Sequence, residues 1–274
     1  MNREYLTDEL AGVIAASIIP EIRKQMREAM GHRLWSEMIH ATAPLERKFT
    51  AVMRKYFREQ MAVVRANMKK MPKAYRRKDA VDFWTFGRRE WDERLRKEGT
   101  AFMKEVTERE GPRVMQQLHH MVPDAEGRMA GVGFDVTNPN VSKYLDERSF
   151  KFAGGVNDTT FNDLRRELAE GMNAGEGMRE LAARVSMLEE NYARYRSMMV
   201  ARSETIRTAN AAAEMSYVQS GVIEKKEWWA AGDERTCGHC MELHGQVVEV
   251  NTNFRNLGEE VAWKPSEAIE DLMA

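Results

Sequence analysis

Apolar residues recur every three or four positions over most of the chain, and that period predicts long amphipathic helices. Leu6, Leu10, Val13, Ile14, Ile18, Ile22, Met26 and Met30 form one such stripe, predicting a first helix from about Thr7 to Met30. Gly31 is placed to stop it. Pro20 falls inside the stripe, where the missing amide donor and the clash with the preceding turn predict a kink or break. Thr42 as a cap and Pro44 in the first turn open a second helix. Its stripe runs Leu45, Phe49, Val52, Met53, Tyr56, Phe57, Met61, Val64 and Met68, and Pro72 ends it. The next stretch, Lys73–Gly99, interleaves basic residues with Phe83, Trp84, Phe86 and Trp91. Such a mixture can stack on bases, but Phe83, Trp84 and Trp91 share one helical face, which favours a buried role. A shorter helix after Pro112 carries Val114, Leu118 and Met121, and Pro123 closes it. His119 and His120 are neighbours, point apart on a helix and form no metal pair.

Between Pro123 and Asn138 the periodicity lapses and Gly127, Gly131 and Gly133 appear, which marks a domain boundary or a packed loop. Asn138 and Pro139 then read as a cap and first turn. Asp158 or Thr159 is expected to cap a helix holding Phe161, Leu164, Leu168 and Met172, ended near Gly175 and Gly177. Another helix covers Met178–Leu188. A long one follows from about Asn191 to Ser220, with Tyr195, Met199, Ile206 and Tyr217 inward and Gly221 as its stop. Within it Thr208–Ala213 reads TANAAA, small side chains that allow a tight helix crossing. Val222-Ile223 and Glu227–Trp229 have strand character, and Val247–Val250 offers a second strand. The expected fold is mainly α with a small C-terminal β-hairpin, an α+β class. Its parts are a helical region over 1–125, a domain over 134–250 and an acidic extension over 251–274.

Composition sharpens this reading. In 274 residues, 43% hydrophobic content supports a substantial core, while 31% charged residues and a mean hydropathy of -0.60 fit solvated helical faces. The longest apolar run, Leu10–Pro20, is too short to span a bilayer, and the acidic N-terminus lacks a signal-peptide pattern, so no membrane role is expected. The 20 methionines fit adaptable packing surfaces and allow for self-association. A net charge of -1 conceals a basic segment, Arg47–Lys97, with 17 basic against 6 acidic residues. Within it Lys69, Lys70, Lys73, Arg76, Arg77, Lys78, Arg88 and Arg89 are candidates for nucleic-acid or partner contact. The acidic remainder offers an internal partner, which slightly favours an ordinary charged face.

The candidate chemistry lies in Lys226–Gly245, KEWWAAGDERTCGHCMELHG. Cys237 and Cys240 are the only two cysteines, at a spacing that can turn both sulfurs toward one zinc ion. His244 is the candidate third ligand and His239 a weaker one. A redox dithiol and two inert thiols are the other readings, the first lacking a thioredoxin-like context. Arg202 with Glu204, and Asp233 with Arg235, could form a carboxylate site or a structural ion-pair cluster. With no Ser-His-Asp set, nucleophile elbow, Walker loop or HExxH, the structural reading leads and no enzyme is expected. Glu204, acidic amid a small-residue face, should meet Arg235 or the Asp233–Cys237 backbone.

Taken in order, Ala201-Arg202-Ser203-Glu204-Thr205, Asn210, Tyr217, Gly221-Val222, Trp228, Asp233-Glu234-Arg235-Thr236-Cys237, Cys240, Leu243 and Gly245 resemble the phage head morphogenesis family, the Mu F-like minor head proteins. The likeness reaches back through FDVTNPNV from Phe134 and covers roughly 135–250. One departure is that the His-Pro-x-Cys-Arg-Cys segment common in the family does not follow. The resemblance implies a minor head protein of a tailed phage, placed in the virion at the capsid interior or portal vertex, and in host cytoplasm during assembly. Portal protein, major capsid or scaffold protein, and packaged DNA are the partners implied, with the first half of the chain expected to make the contacts. A phage-derived nucleic-acid-binding or toxin-associated domain is the alternative.

Overall fold

The computed structural model of the protein describes residues 3–70, 87–122, 125–234, 236, 238–252 and 254. In chain order the elements are α1 (Arg3–Lys70), α2 (Arg88–Met121), α3 (Ala125–Arg128), α4 (Pro139–Asn173), α5 (Met178–Asn191), a π-turn (Tyr192–Arg196), α6 (Ser197–Ser220), β1 (Lys225–Glu227), α7 (Gly238–Leu243) and β2 (Val247–Glu249). The fold is thus mainly α with a small hairpin, as the periodicity predicts. Two compact units divide between Val222 and Ile223.

In the first unit the helices are longer than the punctuation of the sequence predicts. α1 runs unbroken through Pro20, Gly31 and Pro44. Thr42 does not cap a new helix. Its hydroxyl is buried and donates to the Met38 carbonyl one turn back, at 2.8 Å. An interior proline costs a helix about 3 kcal/mol. Burying each of Phe49, Met53, Phe57 and Met61, all at 2% exposure or less, contributes about 1.5–3 kcal/mol and outweighs it. For the same reason Pro112 lies inside α2, and Asp158 and Thr159 lie inside α4. The Thr159 hydroxyl bonds back to the Gly155 carbonyl at 3.0 Å.

One core joins α1 to α2, α4, α5 and α6. Phe49 stacks on Phe102 with ring centroids 3.9 Å apart, and Tyr56 meets Trp91 edge-on at 5.2 Å. Trp91 is therefore a core residue, as its helical face predicts, while Phe83, Trp84 and Phe86 fall outside the described residues. Helices on both sides of 123–138 share this core, so the units separate after Val222 and not at that glycine-rich stretch. Its described part holds the short helix α3 and a packed loop over 131–138. The Asp135 amide donates to the Gln219 side chain at 2.7 Å, and Gln219 donates back to the Asp135 carbonyl at 3.2 Å. Asn138 caps α4 as expected, accepting from the Asn140 amide at 2.9 Å.

The small-residue face of α6 makes the expected close crossing. Thr208, Ala209, Ala212 and Ser216 are buried, and the Ser216 hydroxyl donates to the Gly111 carbonyl of α2 at 3.0 Å. Upstream, α5 passes into α6 through the π-turn without a break. The extra residue per turn shifts the register. Tyr192 and Arg196 are buried in consequence, and Tyr195, expected inward, is 50% exposed. Arg196 lies 4.3 Å from the Tyr192 ring centroid and 5.2 Å from that of Phe57, and donates to the Val156 carbonyl at 3.0 Å.

In the second unit β1 pairs antiparallel with β2, Lys226 opposite Val248. Trp228 continues the ladder, donating to the Gln246 carbonyl at 2.9 Å and accepting from the Gly245 amide at 2.8 Å. The strand begins at Lys225, two residues before the expected start, and Val222-Ile223 is not part of it. No helix among the described residues is long and apolar enough to cross a membrane.

Candidate functional site

Glu204 sits on α6 at 5% exposure. An anion there needs compensation, because desolvation without a partner costs several kcal/mol. Arg148 supplies it from α4. Its Nε donates to Glu204 Oε2 at 2.9 Å and a terminal nitrogen donates to Oε1. Arg207, one turn further along α6, donates to the same Oε1 at 2.8 Å. Both carboxylate oxygens are thus held by cationic donors, an arrangement that fixes two helices. Arg202 is half-buried on the same helix.

Asp233 belongs to the second unit and closes a turn of its own. Its carboxylate accepts from the Thr236 hydroxyl at 2.8 Å, that hydroxyl accepts from the Asp233 amide at 3.1 Å, and the Thr236 amide donates to the Asp233 carbonyl at 3.0 Å. Arg235, expected beside Glu204, lies outside the described residues. Arg148 was not among the residues singled out from the sequence. It had one usable sign: Val141, Leu145, Arg148 and Phe152 share a helical face, and a cation on a buried face requires an anion.

The metal candidates divide similarly. Cys240 is half-buried in α7, whose backbone also includes His239, while Cys237 lies outside the described residues. His244 is committed elsewhere: its Nδ1 accepts from the Ala230 amide at 3.1 Å, tying the two sides of the hairpin. A neutral imidazole that accepts at Nδ1 carries its proton on Nε2, so neither nitrogen has a lone pair left for a metal ion. In this arrangement His244 does not fit a zinc ligand. Among the described residues no three His, Cys, Asp or Glu side chains are grouped to hold one.

Of the basic candidates, Lys69 and Lys70 are exposed in the last turn of α1, and Lys73, Arg76, Arg77 and Lys78 lie outside the described residues. Arg88 pairs with Asp158 and, at 3.5 Å, with Asp92, and Arg89 lies 3.3 Å from Glu93. Acids from beyond the basic segment neutralise others in it. Lys48 meets Glu105 at 2.6 Å, Arg96 meets Asp146 at 3.7 Å, and Arg65 meets Glu189. Four cations of the segment, Lys48, Arg65, Arg88 and Arg96, thus pair with acids from outside it.

These features define a mainly helical protein whose buried charges fasten helix to helix, followed by a small hairpin unit. Residues 162–264 match the family described as Phage Mu protein F like protein, which makes this part of the chain similar to a phage head morphogenesis family. The match begins within α4 and takes in α5, the π-turn, α6 and the hairpin. Searches of curated proteins and of solved structures gave no match.

Proposed function

We propose that the protein is a minor head protein of a tailed phage that acts during capsid assembly, at the portal or capsid interior near packaged DNA. The match of 162–264 to the Mu F-like family carries this reading. Portal, major capsid or scaffold protein would be its partners, engaged without chemistry of its own. The burial of Glu204 between Arg148 and Arg207 supports a structural role, because a general base has to come within hydrogen-bond reach of substrate. The test is mass spectrometry of purified proheads and virions, with electron microscopy of particles made when the gene is silenced. The protein should be found in proheads, and its loss should yield aberrant or empty heads. Absence from both particles, with normal heads formed without it, would overturn the reading.

A further inference from the structure

The outer face of α1 carries a line of cations that the internal ion pairs only partly consume. Arg47, Arg54, Lys55, Arg58, Arg65 and Lys69 fall within an arc of about 100° at the helical angle per residue, and cover about 33 Å of helix length. Five of them are exposed and Arg65 is half-buried. Arg54, Lys55, Arg58 and Arg65 line an open cleft of about 550 Å³ whose floor is Ala51 and Ala62. Its two acids are already engaged: Glu189 pairs with Arg65, and Glu59 pairs with Arg94 while Lys55 stands 3.9 Å away. Arg54 donates through its Nε to the Ala193 carbonyl at 2.9 Å, and its terminal nitrogens meet no partner among the described residues. Arg58 has no ion-pair partner among the described residues.

From this geometry we propose that the α1 face between Arg47 and Lys69 docks the phosphate backbone of duplex DNA without regard to sequence. A line of cations suits a linear polyanion, which carries one charge per about 1.7 Å of duplex axis. Guanidinium forks match phosphate oxygens, and the alanine floor lets a backbone approach closely. A protein partner would ordinarily anchor on a buried aromatic or aliphatic side chain. The cleft offers none, since only Ala51 and Ala62 stand between the charges. α1 lies outside the Mu F-like stretch, so this proposal does not depend on the assembly reading.

The experiment measures binding of the full chain to a fluorescent random-sequence DNA duplex by anisotropy, from about 50 to 200 mM salt. Wild-type affinity should fall steeply with salt, with a log–log slope of about -0.9 for each phosphate neutralised. Reversing two exposed charges, Lys55→Glu with Arg58→Glu, should weaken binding about tenfold or more and flatten the slope by about 2, with melting temperature unchanged. If that variant does not fold, Arg58→Gln carries the same prediction, with a slope flattened by about 1. A parallel variant, Lys73→Glu with Lys78→Glu, locates the site. Loss of binding there with none at Lys55 and Arg58 overturns the proposal. Wild-type binding that ignores salt, or equal competition by polyglutamate, also overturns it, the latter in favour of an acidic protein partner.

Discussion

Arg148 of α4 grips Glu204 of α6 with two side-by-side hydrogen bonds, one of them 2.9 Å from Nε to Oε2. The pair is almost fully withdrawn from water, with side-chain exposures of 20% and 7%. Removing one partner of such a pair leaves the other charged and desolvated. Glu204→Ala should therefore cost about 2–4 kcal/mol in urea unfolding. Arg148→Met should cost a similar amount, and the double variant less than the sum of the two. Strict additivity would show that the pair does not couple α4 to α6.

Gly111 and Phe134 make a second testable contact. A Cβ built on Gly111 would lie 2.4 Å from ring carbons of Phe134, well inside contact distance. Gly111→Ala should destabilise the protein by about 1–3 kcal/mol through overpacking. In a Phe134→Leu background the added penalty should largely vanish, because the obstructing ring is gone. An equal penalty in both backgrounds would place the strain elsewhere.

Four tyrosines, Tyr56, Tyr144, Tyr192 and Tyr217, have hydroxyl pKa values raised, above all by burial, since burial opposes the phenolate. Their folded values lie above the unfolded value of about 10, so the stability they contribute is fully present below that pH. It is lost as pH rises through the folded values. Denaturant midpoints should thus be insensitive to these groups at neutral pH and fall above about pH 10. Tyr217→Phe should reduce that alkaline loss while leaving the neutral midpoint nearly unchanged. An unaltered alkaline profile would show that Tyr217 does not contribute.

The hydrogen bond from the Ala230 amide to His244 Nδ1 gives the histidine a structural task. His244→Ala should cost the hairpin about 1 kcal/mol and raise amide exchange at Ala230, with zinc content by elemental analysis unchanged. A fall in bound zinc in the variant would instead make His244 a ligand of the Cys237–Cys240 pair.

The first-unit core was legible residue by residue where period and side-chain size agree. Phe49, Met53, Phe57, Met61 and Val64 lie on the predicted stripe and are buried, and the small face at Thr208–Ala212 makes the predicted close crossing. The errors fall at punctuation. Pro44, Pro112, Thr42 and Thr159 are local preferences of a few kcal/mol at most, and a helix with a long buried face overrides them. Tyr195 was misplaced because it lies within a single π-turn, with no composition signature of its own, that changes the helical register there.

Periodicity, helix-ending glycines and residue order by themselves determined that the chain is mainly helical, that it ends the long helix at Gly221, and that a stretch resembling the Mu F-like family includes a small hairpin. Those properties are encoded within a few turns of chain, where neighbours in sequence are neighbours in space. Only the tertiary structure decided that Glu204 belongs to Arg148, that His244 turns to the Ala230 amide, and which cations of α1 keep their charge open to solvent. Each of those choices joins residues well apart in the sequence, and a charge or lone pair can be satisfied by any suitable group that folding brings within about 3 Å. Sequence states the need for a partner, and packing selects which one arrives.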